Sequence, residues 1–227
     1  MRVVQPEGQR GSLKWIQQAV AWCPELLQPP GLPAITWLSP LRQDGFAEYR
    51  DAAFLERLGL THLSGSLKDF WPKGGPQWDA LGLTSRGPVL VEAKAHLREF
   101  FSPGTMASAA SRARIEAAFR EVQQDLGLKP RASWADVYYQ YANRLAFLWW
   151  LHKQGVAAEL VFVSFLNDRD IGGPESAETW HAAFAGADHV LGLPARHRLA
   201  AHVHHVMPDV RQIEMRFHGG TPQAGSV

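Results

Sequence analysis

The sequence has little cysteine, no long apolar run and almost no net charge. Its single cysteine, Cys23, excludes an intramolecular disulfide and fits a reducing cytoplasm, which is the location we predict. The longest apolar run, residues 145–151, is too short to cross a bilayer, and residues 1–11 lack the apolar segment of a secretory signal. We therefore expect no membrane partner. Because the net charge is only +1, any nucleic-acid-binding surface would have to be local.

The composition instead predicts a well-packed chain. Hydrophobic residues make up 46% of the 227 positions and include nine tryptophans, which favours an extensive core over disorder. A chain of this length fits one domain with some decoration. We predict a single domain over residues 1–217, with a helical extension over residues 1–33 packed on it and a flexible tail over residues 218–227.

A hairpin is the most informative part of the predicted fold. Residues 89–95 form a short apolar segment bounded by turn residues, which is typical of a buried strand. Residues 85–88 are typical of a bend, and residues 78–81 form the strand that we predict before it. The two strands are therefore expected to pair side by side.

Charged residues interrupt this apolar hairpin. Because side chains on a strand alternate between faces, Leu90, Glu92 and Lys94 share one face. Charges on a buried face are costly unless they pair or hold a metal, and Asp79 on the preceding strand supplies a second carboxylate. The pattern outlines a metal site. The alternative is a buried pair of Glu92 and Lys94 with Asp79 on the surface.

The same residues carry a resemblance. Asp79, followed by Glu92-Ala93-Lys94, resembles the D…(D/E)-x-K signature of the PD-(D/E)XK nuclease superfamily, and Glu92 begins the only acid-x-Lys triplet in the chain. The proline of the name corresponds to Pro76, three residues before Asp79. More narrowly, the chain is similar to an uncharacterised bacterial family in that superfamily. That likeness rests on residues 70–72, 75–82, 91–96 and 139–145.

The resemblance implies a chemistry for the hairpin. It implies that Asp79, Glu92 and the backbone carbonyl of Ala93 bind Mg²⁺ or Mn²⁺, and that Lys94 orients or activates the attacking water. Mg²⁺ prefers hard oxygen ligands and keeps several waters, which agrees with this ligand set. Because two acids surround Lys94, we expect its side chain to stay protonated.

The predicted elements form an α/β fold with a mixed central sheet, flanked by helices and extended by helices and strands at both ends. The resemblance implies that its centre is a restriction-endonuclease-like α-β-β-β-α-β core. In this scheme Ser12 caps the first helix. Residues 158–165 form an unbroken apolar strand that we expect to pair in parallel. The predicted helices cover residues 12–23, 46–58, 108–126, 134–154 and 176–184, and the predicted strands cover residues 67–70, 78–81, 89–95, 158–165 and 202–205.

Five polar residues outside the hairpin are further candidates. Glu48 is a candidate metal ligand, although an acid that favours a helix N-terminus is the interpretation we prefer. Gln140 resembles a glutamine that several nuclease families direct at the metal, and Arg144 shares its helix face. A satisfied core amide is the alternative for Gln140. His96 and Arg112 are candidate nucleic-acid contacts, with a hydrogen-bonded strand-end histidine and a solvated helix face as the alternatives.

The histidines near the C-terminus suggest a second kind of site. His202, His204 and His205 invite a zinc interpretation, but no cysteine partner or HExxH-like helix accompanies them. Alternation indicates a strand on which His202 and His204 share a face. We therefore predict that these histidines do not form a metal site.

Three functions remain open. We favour a Mg²⁺-dependent deoxyribonuclease that hydrolyses phosphodiester bonds, with nucleic acid, preferably DNA, as its partner. The second is a catalytically weak or inactive nucleic-acid-binding or assembly protein on the same fold, and the third is a zinc hydrolase. The sequence leaves open the choice between DNA and RNA, endonuclease and exonuclease, and repair, restriction and phage defence, as well as whether the chain forms a homodimer.

Overall fold

A mixed five-stranded sheet with helices on both faces organises the chain. The computed structural model describes residues 1–219; of the predicted tail, residues 220–227 lie outside the described residues. The strands are β1 (Arg2–Val3), β2 (Thr36–Ser39), β3 (Glu48–Tyr49), β4 (Ala80–Leu83), β5 (Pro88–Lys94), β6 (Glu159–Ser164) and β7 (Val203–Val206). The helices are α1 (Gly11–Trp22), α2 (Ala52–Arg57), α3 (Ser64–Phe70), α4 (Leu97–Phe100), α5 (Ala109–Asp125), α6 (Tyr139–Lys153), α7 (Ala177–Leu191) and α8 (Val210–Gly219).

The main sheet has the strand order β2-β4-β5-β6-β7. Strand β4 is antiparallel to both β2 and β5, whereas β6 lies parallel to β5 and β7 parallel to β6. The predicted hairpin, the parallel pairing of the apolar strand and the α/β class with a mixed sheet are therefore confirmed. The remaining strands, β1 and β3, form a separate two-stranded ladder.

Strand β5 separates two hydrophobic clusters by the alternation of its side chains. Leu90 lies in the cluster that includes α5 and α6, whereas Val89, Val91 and Ala93 lie in the cluster that includes α1 and α8. This arrangement confirms the predicted shared face of Leu90, Glu92 and Lys94. The charged side chains of β5 thus point toward the α6 side of the sheet.

In the first half of the chain two predictions are wrong and one strand was not predicted. The predicted helix over residues 46–58 is interrupted because Phe46 and Asp51 adopt positive φ angles of 49° and 54°, and only α2 is helical. The strand predicted over residues 67–70 is the end of α3. Its Leu67 is buried, as is Leu63, which directly precedes the helix and is spaced from Leu67 as on a helix. The strand that pairs with β4 is β2 instead, which the sequence analysis missed.

Helix boundaries account for the other differences. The predicted helix over residues 134–154 begins only at Tyr139, because Tyr138 takes a left-handed conformation and Trp134 instead anchors the preceding turn through a 2.9 Å hydrogen bond from Nε1 to the Leu191 carbonyl. Ser12 does not cap α1, which follows Arg10. Residues 218 and 219, predicted as tail, still belong to α8.

Helix α5 agrees with its prediction to within one residue at each end.

In residues 1–219, no helix is both long enough and apolar enough to cross a membrane.

Helix α1 is joined to the loop that follows β6 by a buried hydrogen bond, which gives a test of the contribution of this bond. Trp15 Nε1 donates to Asp168 Oδ2 at 2.6 Å, and Asp168 is only 1% exposed. We expect Trp15→Phe to lower the free energy of unfolding by about 1–3 kcal/mol because it leaves a buried carboxylate short of a donor.

Trp22→Phe, on the same helix, is the control, since the Trp22 indole N–H has no protein acceptor within residues 1–219. Urea unfolding of both variants measures the difference. Equal losses from the two substitutions would contradict the assigned role of the bond.

Candidate functional site

The candidate site lies where β4 begins, beside the last residues of β5. Asp79 immediately precedes β4; its backbone N–H donates to the Val91 carbonyl at 3.2 Å, and its Oδ2 accepts from the Ala93 N–H at 2.6 Å. Because N–H and C=O of one residue on an antiparallel strand point to the same edge, the Ala93 carbonyl also faces the edge that β4 has left. Asp79 and the Ala93 carbonyl are therefore presented at the same place.

Glu92 lies at the centre of a buried ion-pair network. It is 3% exposed, and one of its carboxylate oxygens accepts from Lys94 Nζ while the other accepts from Arg144 Nε at 2.6 Å. Arg144 Nη2 also donates to the Gln77 carbonyl at 2.9 Å, and its guanidinium lies 4.9 Å from the centroid of the Trp78 ring. Every oxygen of Glu92 thus has a cationic partner from β5 or α6.

These groups line one cavity of about 390 Å³. The carboxylates, the cations and several amides converge on it from the start of β4, from β5, from α6 and from the loop before α5. Its walls include Glu48, Gln77, Asp79, Glu92, Lys94, Ser102, Thr105, Met106, Tyr139, Gln140, Asn143 and Arg144.

The pKa values of the two hairpin acids are shifted in opposite directions. Burial raises the pKa of Asp79 well above its usual value, the charge of Glu92 raises it further, and Lys94 opposes this only in part. Burial also acts to raise the pKa of Glu92, but Arg144 and Lys94 outweigh it and hold that pKa below its usual value. The pKa of Lys94 is raised, because Glu92 and Asp79 outweigh the effect of burial. At neutral pH Glu92 is therefore ionised and Lys94 is charged.

Glu48 occupies a position different from the one predicted. It lies on β3, not at a helix N-terminus, so the preferred interpretation of a helix-favouring acid is wrong. Its Oε2 accepts from Gln5 Nε2 at 2.9 Å and from Gln77 Nε2 at 2.5 Å. Burial raises the pKa of Glu48, and these two hydrogen bonds oppose the rise. Glu48 is thus a third acid at the cavity.

Of the other candidate residues, two line the cavity and two do not. Gln140 and Arg144 both line the cavity, one helical turn apart on α6. His96 does not line it; its Nδ1 accepts from the Arg98 N–H at 2.8 Å and caps α4. Arg112 also lies outside the cavity wall and pairs with Glu116 and Asp136. His96 and Arg112 therefore lie outside the cavity wall, and their contact with nucleic acid stays a prediction.

Sequence reasoning missed two amides at the cavity. Gln77 links Glu48 to Arg144, since its side chain donates to the acid and its carbonyl accepts from the guanidinium. Asn143 is 4% exposed and its Oδ1 accepts from Arg144 Nη1 at 2.7 Å. A buried asparagine on an apolar helix was the available signal for Asn143, because buried polar groups need partners. No local pattern marks Gln77.

The C-terminal histidines converge on a different carboxylate. His204 Nε2 lies 2.9 Å and His202 Nδ1 lies 3.4 Å from Glu159 Oε2, which confirms that these two histidines share a face. His205 points to the opposite side, and its ring stacks 5.5 Å from Phe162. Burial lowers the pKa of His205 to about 4. His202 and His204 therefore help to hold the edge strand β7 on β6.

The hairpin acids fit a hard divalent cation as a pair. In the part of the chain that the structure describes, no three His, Cys, Asp or Glu side chains are placed to hold a metal on their own. A third protein ligand would therefore be the Ala93 carbonyl, and water would complete the set, as Mg²⁺ prefers. The pKa of Asp79 is raised first by burial and then by the charge of Glu92, and a bound cation would oppose both effects.

The titration of Asp79 leads to a stability prediction. A carboxyl whose pKa is raised on folding contributes stability that is full below its unfolded pKa of about 4 and lost as the pH rises through the folded value. Asp79→Asn keeps an acceptor for the Ala93 N–H and removes the charge. We therefore expect a higher melting temperature than wild type at pH 8 in chelator, with the difference vanishing near pH 4.

Asp69→Asn, at an exposed position on α3, is the control and should follow wild type at both pH values. A lower melting temperature of Asp79→Asn at pH 8 would contradict the predicted repulsion.

Comparison of the chain with family models, with curated proteins and with solved structures finds no match.

Proposed function

We propose that the protein is a Mg²⁺- or Mn²⁺-dependent nuclease that hydrolyses phosphodiester bonds, with DNA as the favoured substrate. The observation that carries the proposal is the convergence of Asp79, Glu92 and Lys94 on one cavity, at the edge of β5 that β4 leaves free. A buried carboxylate pair beside a charged lysine is costly to keep, and such groups cluster at functional sites.

We also propose that the elements around the site form the α-β-β-β-α-β core of the PD-(D/E)XK superfamily. In support, α1 is followed by the antiparallel strands β2, β4 and β5, then by the helices α4, α5 and α6, and then by β6 parallel to β5. In this assignment β3, α2 and α3 are an insertion between the first two core strands, and α7, β7 and α8 are a C-terminal addition. The insertion brings Glu48 and Gln77 to the cavity.

Each residue has a role in the proposed reaction. Asp79, Glu92 and the Ala93 carbonyl would hold the cation, which when bound neutralises the diester and activates a water. Lys94, charged because its pKa is raised, orients the attacking water and stabilises developing negative charge. Arg144 lines the same cavity and would contact the scissile phosphate.

Gln140 provides a test of the α6 side of the site. Its amide lines the cavity, so we expect Gln140→Ala to lower turnover on the order of 10-fold while changing the melting temperature little. Gln124→Ala, at an exposed position on α5, is the control. If Gln140→Ala lowers only the melting temperature and keeps full activity, the amide is structural.

The function itself is tested by cleavage of labelled substrates. Single-stranded, duplex, flapped and junction DNA, and a matching RNA, are incubated with wild type in Mg²⁺, Mn²⁺ or Ca²⁺. We expect cleavage of at least one DNA in Mg²⁺ or Mn²⁺ and binding with little cleavage in Ca²⁺, which is larger and accepts looser geometry. A folded protein that cleaves none of them contradicts the proposal.

One observation favours a second candidate. Both oxygens of Glu92 are engaged by Lys94 and Arg144, which is an arrangement that also suits a nucleic-acid-binding protein without catalysis. Binding of DNA in Mn²⁺ without cleavage, unchanged in Glu92→Gln, would select this alternative.

A further inference from the structure

An apolar loop forms one wall of the cavity. Phe101 and Met106 are among the most exposed large apolar side chains of residues 1–218, at 51% and 96% exposure. Both stand between α4 and α5, where residues 102–106 line the cavity. Phe101 directly precedes this wall, and its ring lies 5.9 Å from that of Tyr138. Apolar side chains exposed beside a polar cavity indicate a ligand with an apolar face.

The loop is held in place by its backbone. The Thr105 N–H donates to the Ala135 carbonyl at 2.7 Å, and the Gln140 N–H donates to Ser102 Oγ at 3.0 Å. Gly104 lies so close to the turn before α6 that a Cβ at this position would come within 2.8 Å of the Ala135 carbonyl oxygen. Phe101 and Met106 are therefore presented by a fixed loop, which lowers the entropic cost of binding.

The other groups of the cavity place the phosphate of the ligand. Under the proposed function the scissile phosphate lies at Asp79 and Lys94, and these residues line the same cavity as Met106. An apolar side chain for a base next to a site for a phosphate is the combination that binds single-stranded nucleic acid.

In an intact duplex the faces of the bases are stacked and hidden from such a loop. We propose that Phe101 and Met106 contact an unstacked base next to the scissile phosphate, so that the substrate is DNA with an unpaired strand at the point of cleavage. This inference rests on the proposed nuclease function and narrows its substrate class.

The test compares binding of matched oligonucleotides in Ca²⁺, where cleavage is slow. A single strand that carries one 2-aminopurine and its duplex counterpart are titrated with wild type and with the double variant Phe101→Ala/Met106→Ala. We expect the double variant to bind the single strand about 10-fold or more weakly and to lose the fluorescence change of the 2-aminopurine. Duplex binding should change by less than about 2-fold, since phosphate contacts remain.

Met215→Ala, at a residue 68% exposed on α8, is the matched control and should bind both oligonucleotides as wild type does. Cleavage in Mn²⁺ is measured in parallel. If wild type cleaves DNA but the double variant keeps its preference between single strand and duplex, the inference is wrong and the nuclease proposal stands. A double variant that changes only the oligomeric state, measured by light scattering, would assign the loop to a protein interface and also overturn the inference. If wild type cleaves nothing, both proposals fail.

Discussion

Replacing Glu92 or Asp79 should abolish cleavage, with a loss of roughly 1,000-fold or more. Each substitution removes a carboxylate from the pair that would hold the cation, and several kcal/mol of transition-state stabilisation correspond to this factor. Asp79→Asn and Glu92→Gln preserve side-chain size, and Asp79→Asn should be the more stable of the two because it removes a charge that burial and the neighbouring Glu92 both disfavour. Single-turnover cleavage in Mn²⁺ measures the loss.

Lys94→Ala should separate catalysis from metal binding. Because an ammonium is not a metal ligand, we expect the cation still to bind, while cleavage falls by about 10²–10³-fold. Lys153→Ala, which removes an exposed lysine paired with Glu121, is the control and should keep wild-type activity. Full activity in Lys94→Ala, or activity retained by Glu92→Gln, would contradict the assignment of the site.

Arg144→Ala should cause the largest loss of stability of the substitutions considered. It leaves Glu92, which is 3% exposed, with Lys94 as its only remaining cation, and breaking a buried pair costs about 3–5 kcal/mol. For a chain of this size, the melting temperature should fall by roughly 10 °C at neutral pH. The Gln77 carbonyl and Asn143 also lose their donor.

The pH dependence of this loss has a definite sign. The pKa of Glu92 lies below its usual value in the folded protein, so the ionised carboxylate contributes stability above its unfolded pKa of about 4.3, and that stability is lost as the pH falls through the folded value. The difference between Arg144→Ala and wild type should therefore shrink in acid.

Arg112→Ala is the matched control for Arg144→Ala. Arg112 also pairs with two carboxylates, Glu116 and Asp136, but it does so at the surface, where such pairs contribute about 0–1 kcal/mol. Thermal unfolding of both variants between pH 4 and pH 8 makes the comparison. Equal losses from the two arginines would show that Glu92 does not depend on its partner from α6.

The parts of the fold that were predicted correctly depend on local patterns. Alternation along β5 is a property of neighbouring residues, so the shared face of Glu92 and Lys94 followed from the sequence alone. The apolar run of β6 likewise identified a strand, and the intervening helix indicated parallel pairing. Strand β5 thereby places three site residues, Glu92, Ala93 and Lys94.

The parts that were missed depend on distant contacts. Glu48 belongs to a strand because it pairs with Val3, far away in the sequence, and because Phe46 and Asp51 adopt conformations that no periodicity reveals. The segment of α3 was mistaken for a strand since short apolar runs fit both structures. Gln77 likewise lies at the site through a distant contact, its hydrogen bond to Glu48, 29 positions earlier in the chain.

Calorimetric titration of Mn²⁺ into wild type and Asp79→Asn, both shown to be folded, is the most direct test of the central claim. The claim is that Asp79 and Glu92 together hold a divalent cation in the cavity beside Lys94. We predict saturable binding by wild type, weakened about 10-fold or more in Asp79→Asn, and unchanged in the exposed control Asp69→Asn. Absence of Mn²⁺ binding by folded wild type, or equal binding by Asp79→Asn, would contradict the account.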